Sequence, residues 1–241
     1  MKIFGVILTF NCENLIEKTI KEIPQNKFHK IICSDDGSTD NTKKKCLENK
    51  IDFFSHEHSG YGGNLIFGLK KAFEMGATHV VEIHGDGQYD LKNIDEFFEK
   101  LKIEEPDLIL GNRFYDYKKT LENGMPLHIF VGNIVLSFIA RKGLSLDLTD
   151  LFPGQRAYSN NFYEIIKLFN LPQGYQLSFE IIMLSKLHNL KISSINCDCN
   201  YKGEKKTAPL VYVFSCLFHL ISSIFFYRFN KQKIYNRKKF K

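Results

Sequence analysis

The chain has 241 residues, 44% hydrophobic and 25% charged, the balance of a folded chain of one good-sized domain and not of a disordered one. With 16 Gly and 6 Pro it is neither collagen-like nor Pro-rich. The formal charge is +6, but seven basic side chains and no acid lie between Arg228 and Lys241, which leaves the rest at −1 and argues against a nucleic-acid-binding body.

Met1, Lys2 and the apolar run that follows superficially resemble a signal peptide. The run is short and passes into Asn11, Cys12 and Glu13 without a small-residue cleavage site, so residues 3–8 are expected to be a buried strand. A helix is expected at 13–23, ended by Pro24, then a strand at 28–34 and a helix at 41–49. A strand at 51–55 precedes a helix at 63–75 closed by Gly76. A strand at 78–84, a helix at 91–102 and a strand at 108–110 complete the regular half. Beyond it, the pattern predicts a helix at 127–140, a polar loop at 147–158, a helix at 176–187 and a strand at 191–197. Alternating strands and helices predict an α/β fold, a mostly parallel sheet with helices on both faces. In such sheets ligands sit beyond the carboxyl ends of the strands.

The six cysteines form no CxxC pair and no zinc-ligand spacing. Cys197 and Cys199 alternate along the last predicted strand and are read as small core residues in a reducing compartment. Residues 207–227 carry no formal charge, yet Ser215, His219, Ser222 and Ser223 fall on one narrow stripe of a helix. With the basic tail behind it, this segment suits an amphipathic helix lying at a membrane surface better than a spanning one.

The predicted strand ends carry the chemistry. Asp35 and Asp36, followed by Gly37, Ser38, Thr39 and Asp40, suit recognition of hydroxyl and N–H donors on a nucleoside, and two adjacent carboxylates exceed what capping a helix requires. After the apolar strand ending at Ile83, Asp86 is placed to bind a hard divalent cation, with His84 and Gln88 completing or orienting its shell. The segment from Gly60 to Asn64 lacks the GxGxxG spacing of a dinucleotide loop and the Lys and Ser/Thr of a P-loop.

Residues 10–15, 35–40, 60–64 and 84–88 occur in the order and spacing of family 2 glycosyltransferases. The resemblance continues through Gly111 to Phe114, Leu148 to Asp150, Gly154 to Tyr158, the Gly174–Tyr175 pair, Glu180 and the run from Tyr201 to Lys206. It covers residues 1–206 and is greatest to the polyprenol-phosphate sugar synthases. It implies a GT-A fold over 1–206 and an inverting enzyme at the cytoplasmic face of a membrane, while the uncharged run and basic tail make 207–241 the expected membrane-associated segment. Such an enzyme transfers a sugar from a nucleotide-sugar to a polyprenyl-phosphate or lipid-linked acceptor with Mg²⁺ or Mn²⁺ as cofactor.

Carried onto this chain, the resemblance implies that Thr9, Asn11, Glu13, Asp35, Asp36, Gly62 and Asn64 bind the nucleotide. Asp86 becomes the metal-binding Asp of the DxD motif, with His84 where the family has its first Asp. Arg113, Arg156 and Lys205 are expected on donor or acceptor phosphates, and Asp150 beside the acceptor as its base when the nucleophile is a hydroxyl. Asp86, Asp150 and Arg156 form the implied catalytic set. Cys12 stands where the family has Glu, with Glu13 one place on. A transferase acting on a glycan hydroxyl and a non-catalytic nucleotide-sugar-binding scaffold are the alternative readings.

Overall fold

The computed structural model describes residues 1–202 and 217–225; Lys205, the 206/207 boundary and the basic stretch from Arg228 lie outside the described residues. In chain order the strands are β1 (Ile3–Thr9), β2 (Lys30–Asp35), β3 (Asp52–Ser55), β4 (His79–His84), β5 (Leu108–Asn112), β6 (Arg156–Ser159) and β7 (Ile192–Asn196). The helices are α1 (Ile16–Glu22), α2 (Thr42–Glu48), α3 (Tyr61–Glu74), α4 (Ile94–Ile103), α5 (Tyr117–Glu122), α6 (Leu127–Leu144), α7 (Asn160–Ile166) and α8 (Leu177–Leu187), with a further helical segment at 217–225.

The strands form one sheet in the order β3-β2-β1-β4-β6-β5-β7. β1 pairs in parallel with β2 on one side and β4 on the other, so the chain order reverses at β1. That reversal is where an open α/β sheet splays its strand-end loops apart and makes room for a ligand. β1 is buried along its whole length, and its period of two divides the core. Phe4, Val6 and Leu8 enter the cluster shared with α3, α6, α7 and α8, while Ile3 and Ile7 enter the one shared with α1, α2 and α4.

Every predicted strand is present, with shifts at the ends. The helix expected at 13–23 begins at Ile16, because Leu15 and Ile16 both donate to the Cys12 carbonyl and turn the chain first. The helix expected to end at residue 140 runs on to Leu144 and stops at Ser145, whose φ of 52° is left-handed. One expectation is corrected: the polar loop at 147–158 ends in β6, the antiparallel strand wedged between β4 and β5. Its sequence, Arg-Ala-Tyr-Ser, has no apolar run, and neighbours on both sides supply its ladder. β7 stops at Asn196, so Cys197 and Cys199 do not alternate within it; both are buried in a small cluster with Tyr89.

Residues 217–225 pack across α6, where a side chain on Gly143 would meet Ile224 at 2.5 Å. Their polar groups face the body: His219 shares a 2.9 Å hydrogen bond with Glu180, and Ser223 is buried. Phe218, Ile221 and Phe225 point outward instead.

Candidate active site

A cavity of about 600 Å³ opens at the reversal between β1 and β4. Its floor is the strand-end loops, and its far wall is α6 with Phe152, Phe179 and Tyr175.

Asp35, 1% exposed, accepts from Thr9 Oγ1 at 2.8 Å, Ser38 N at 2.8 Å, Ser55 Oγ at 3.0 Å and Ser38 Oγ. It ties the loop together and does not line the cavity. Asp36 does line it, with Oδ1 taking Ser59 N at 2.7 Å and Oδ2 taking Gly60 N at 2.9 Å beside His58 Nδ1 at 2.9 Å. His58 in turn stacks on Phe10, with ring centroids 4.5 Å apart, and both rings line the cavity as an aromatic shelf.

Thr9 and Asn64 also reach the cavity, and Asn64 ties α3 to the sheet through Ser34 Oγ at 2.6 Å and the Thr9 carbonyl at 3.2 Å. Asn11, with φ at 48°, bonds the loop after β2 through Ser38 Oγ and Thr39 N. Glu13 lies away from the cavity and accepts from the backbone and side chain of Asn41 at the start of α2. Gly62 approaches protein and not open space: a Cβ there would lie 2.7 and 2.8 Å from the carbonyl oxygens of Pro172 and Gly174. The loop at 172–174 thus covers the start of α3, and Gln173 accepts from Gly63 N at 3.0 Å. Cys12 lines the cavity where the resemblance expects a carboxylate, and burial pushes its thiol up to about 12. It stays neutral and cannot take that carboxylate's place.

His84 to Gly87 form a turn closed by Gly87 N on the His84 carbonyl at 3.1 Å, which brings His84 and Asp86 to the same lip of the cavity. His84 Nε2 lies 3.1 Å from both Glu82 Oε1 and the Gly154 carbonyl. Two acceptors on one ring nitrogen require that it carry the proton. Burial lowers the imidazole pKa, but contacts with Glu82, Asp86 and Gly154 outweigh it and leave the net shift upward. Gly154 is needed here, since a Cβ would lie 2.6 Å from His84 Nε2.

Asp86 Oδ1 accepts Gln88 N at 2.9 Å, and Oδ2 accepts no hydrogen bond among the described residues. Among those residues no three His, Cys, Asp or Glu side chains converge as a metal cage. A carboxylate oxygen and an imidazole lone pair on one cavity wall do fit a cation whose remaining ligands are diphosphate oxygens.

The phosphate and base assignments fare differently. Arg113 lines the cavity but is bidentate to Asp150, with Nε at 2.7 Å from Oδ2 and Nη2 at 3.0 Å from Oδ1. Burial disfavours its charge, yet Asp150, with Tyr201 and Tyr89, more than offsets this and holds the guanidinium well above its usual range. Asp150, 1% exposed, also accepts Arg113 N and Phe152 N and is not among the residues lining the cavity where an acceptor base is expected.

Arg156, expected on a phosphate, does not line the cavity either. It is fully buried beneath the floor, with Nη1 on Tyr61 OH at 3.1 Å and Nη2 on Ser178 Oγ at 2.9 Å. It faces Glu82, itself wholly buried, which accepts from Tyr61 OH at 2.8 Å and Tyr158 OH at 2.6 Å. Sequence reasoning passed over Glu82 because it stands in an apolar strand; a carboxylate between Val81 and Ile83 was the signal available.

The family model described as Glycosyl transferase family 2 matches residues 6–166. An uncharacterised protein of Methanocaldococcus jannaschii is 30% identical over 226 residues, 91% of each chain. The UDP-N-acetylglucosamine–dolichyl-phosphate N-acetylglucosaminyltransferase of Methanococcus voltae is 30% identical over 211 residues, covering 80% of this chain and 83% of that protein. Among solved structures, glucosyl-3-phosphoglycerate synthase from Mycobacterium tuberculosis, in complex with Mn²⁺, uridine diphosphate and glucosyl-3-phosphoglycerate, superposes with a TM-score of 0.67. That match is 19% identical and covers 94% of this chain and 79% of the other, which identifies the fold as GT-A.

Proposed function

This chain belongs to glycosyl transferase family 2, and from that premise we propose that it moves a sugar, with inversion, from a nucleoside-diphosphate donor onto a lipid-borne phosphate at the cytoplasmic face of a membrane. The observation that carries the acceptor half is the locked Arg113–Asp150 pair. A hydroxyl nucleophile needs a general base, whereas a phosphate arrives as an anion. Among the described residues, the carboxylates lining the cavity are Asp36 and Asp86, one holding the loop at 59–60 and the other placed for a cation.

The donor's base meets the shelf of Phe10 and His58 above Asp36. Asp86 and His84 would hold a divalent cation, which would supply positive charge to the departing diphosphate. Arg113 faces the acceptor side. Four of its five N–H donors serve Asp150, Tyr201, Asn133 and the Phe152 carbonyl, and among the described residues one Nη1 hydrogen is left for a phosphate oxygen. Asp150 keeps that guanidinium charged and oriented. Around it the wall turns apolar through Ile129, Leu136, Phe152 and Phe179, which suits the first units of a lipid chain.

The outer side of α6 supports a membrane location. Leu127, Val131, Val135 and Phe138 are 47–66% exposed in one stripe, next to the outward Phe218, Ile221 and Phe225. α6 is long and apolar enough to cross a bilayer by length and composition, but its inner side lines the cavity, so we read it as resting on the membrane surface.

The activity of the M. voltae relative makes UDP-N-acetylglucosamine the first donor to test. A thermal-shift panel of UDP-, GDP- and dTDP-sugars with Mn²⁺ or Mg²⁺ should give one class of stabilising donors. A ligand at a hundred times its Kd adds about 2.7 kcal/mol of stability. Absence of any stabilising nucleotide-sugar would overturn the reading.

A further inference from the structure

We propose that Glu82 is a positioning residue that fixes the His84 tautomer, and that the resulting imidazole–carboxylate pair makes this transferase prefer Co²⁺ and Mn²⁺ over Mg²⁺. The proposal rests on the transferase reading and concerns residues that differ from the DxD pattern of the resemblance. Its basis is geometric.

Nε2 of His84 is flanked at 3.1 Å by Glu82 Oε1 and at 3.1 Å by the Gly154 carbonyl, so it is the protonated nitrogen. Nδ1 then carries the lone pair, and it has no hydrogen-bond partner among the described residues. The ring is wedged between Tyr61 and Tyr89, with centroids 6.0 and 5.1 Å away, and it lines the cavity on the turn that carries Asp86. Glu82 is itself immobilised: it is wholly buried and grips Tyr61 OH and Tyr158 OH as well as His84.

A carboxylate that accepts from one imidazole nitrogen while the other faces a cation is the arrangement that orients histidine ligands. Imidazole is a better ligand for the later first-row divalent ions than for Mg²⁺, which is held by carboxylate, phosphate and water oxygens. Replacing one oxygen ligand by imidazole therefore moves preference along the series from Mg²⁺ through Mn²⁺ to Co²⁺.

The test measures binding, not turnover. Calorimetric affinities of UDP and GDP for the full chain are taken with saturating Co²⁺, Mn²⁺ or Mg²⁺, and long-range ¹H–¹⁵N spectra read the His84 tautomer. The wild type should show the Nε2–H form and bind the nucleotide with Co²⁺ or Mn²⁺ at least about tenfold more tightly than with Mg²⁺. Glu82→Gln should mix the tautomers and weaken Co²⁺- and Mn²⁺-dependent binding by about 10–100-fold, the usual effect of losing a ligand's orienting partner, while Mg²⁺-dependent binding changes little. The double variant E82Q/H84D, which offers two oxygen ligands beside a neutral neighbour, should erase or reverse the preference.

Equal wild-type affinity with Mg²⁺ and Mn²⁺, or an Nδ1–H tautomer, overturns the proposal even if both variants unfold, and leaves the transferase reading standing. Failure of both nucleotides to bind with every cation overturns the two together.

Discussion

The pairing of Arg113 with Asp150 decides between two kinds of acceptor, and Asp150→Asn tests it. The substitution keeps size and shape but turns one carboxylate oxygen into an NH₂ group facing the guanidinium. Arg113 is 6% exposed and the Asp150 side chain fully buried, so water cannot take over the lost contacts. Removing one partner of a buried ion pair costs about 3–5 kcal/mol, because the other charge remains buried and unmatched. For a domain of this size that corresponds to a fall in Tm of roughly 6–20 °C. Thermal and urea unfolding of wild type, D150N and the apolar pair R113M/D150L measure it. The double replacement should recover most of the stability lost in D150N, because no charge remains to be matched. If D150N keeps the wild-type Tm, binds donor normally and has lost transfer, Asp150 is a general base and a hydroxyl acceptor replaces the phosphate.

Asp86→Asn should leave Tm unchanged, since the amide oxygen still accepts from Gln88 N, and should lower turnover by about 10²–10³-fold, as loss of one electrostatic stabiliser does; full activity at saturating Mn²⁺ would remove Asp86 from the site. Asp40 accepts from Glu13 N at 3.0 Å and Thr42 N at 2.9 Å; burial opposes its charge, but these bonds prevail and lower its pKa. A depressed folded-state pKa contributes stability that is present above the unfolded value and lost as pH falls through the folded one. D40A should therefore cost about 1 kcal/mol near neutral pH, with the gap closing below about pH 4, and a pH-independent gap in urea titrations would contradict this. Serine at both Val131 and Val135 should reduce sedimentation with anionic vesicles without altering soluble-donor affinity; unchanged sedimentation would remove α6 from the membrane surface.

The regular half of the fold was legible because each strand there is a short apolar run and each helix has apolar residues at helical spacing. The loops carrying Asp36 and His84–Asp86 were legible as polar, Gly-containing breaks after those strands, and both line the cavity. β6 was not legible, because its polar sequence becomes a strand only between β4 and β5.

The family pattern supplied Asp150 and Arg156 as chemical groups, yet their partners lie 37 and 95 residues away at Arg113 and Tyr61, and only folding brings them together. The partners of Glu82, Tyr61 and Tyr158, are likewise 21 and 76 residues distant. Of the polar stripe on the C-terminal helix, His219, Ser222 and Ser223 are among the described residues and Ser215 lies outside them. The stripe's direction came from Glu180, which draws His219 inward and leaves the phenylalanines outside.

The central claim is transfer to a lipid phosphate, and the most direct measurement is where the sugar goes. The full chain is incubated with radiolabelled UDP-N-acetylglucosamine, or whichever nucleotide-sugar the binding panel selects, with Mn²⁺ and either a polyprenyl phosphate or the matching unphosphorylated polyprenol. Label is expected in the organic phase with the phosphate alone, bound through an inverted anomeric carbon. Label that enters only hydroxyl acceptors, with the polyprenyl phosphate left unmodified, would contradict the claim.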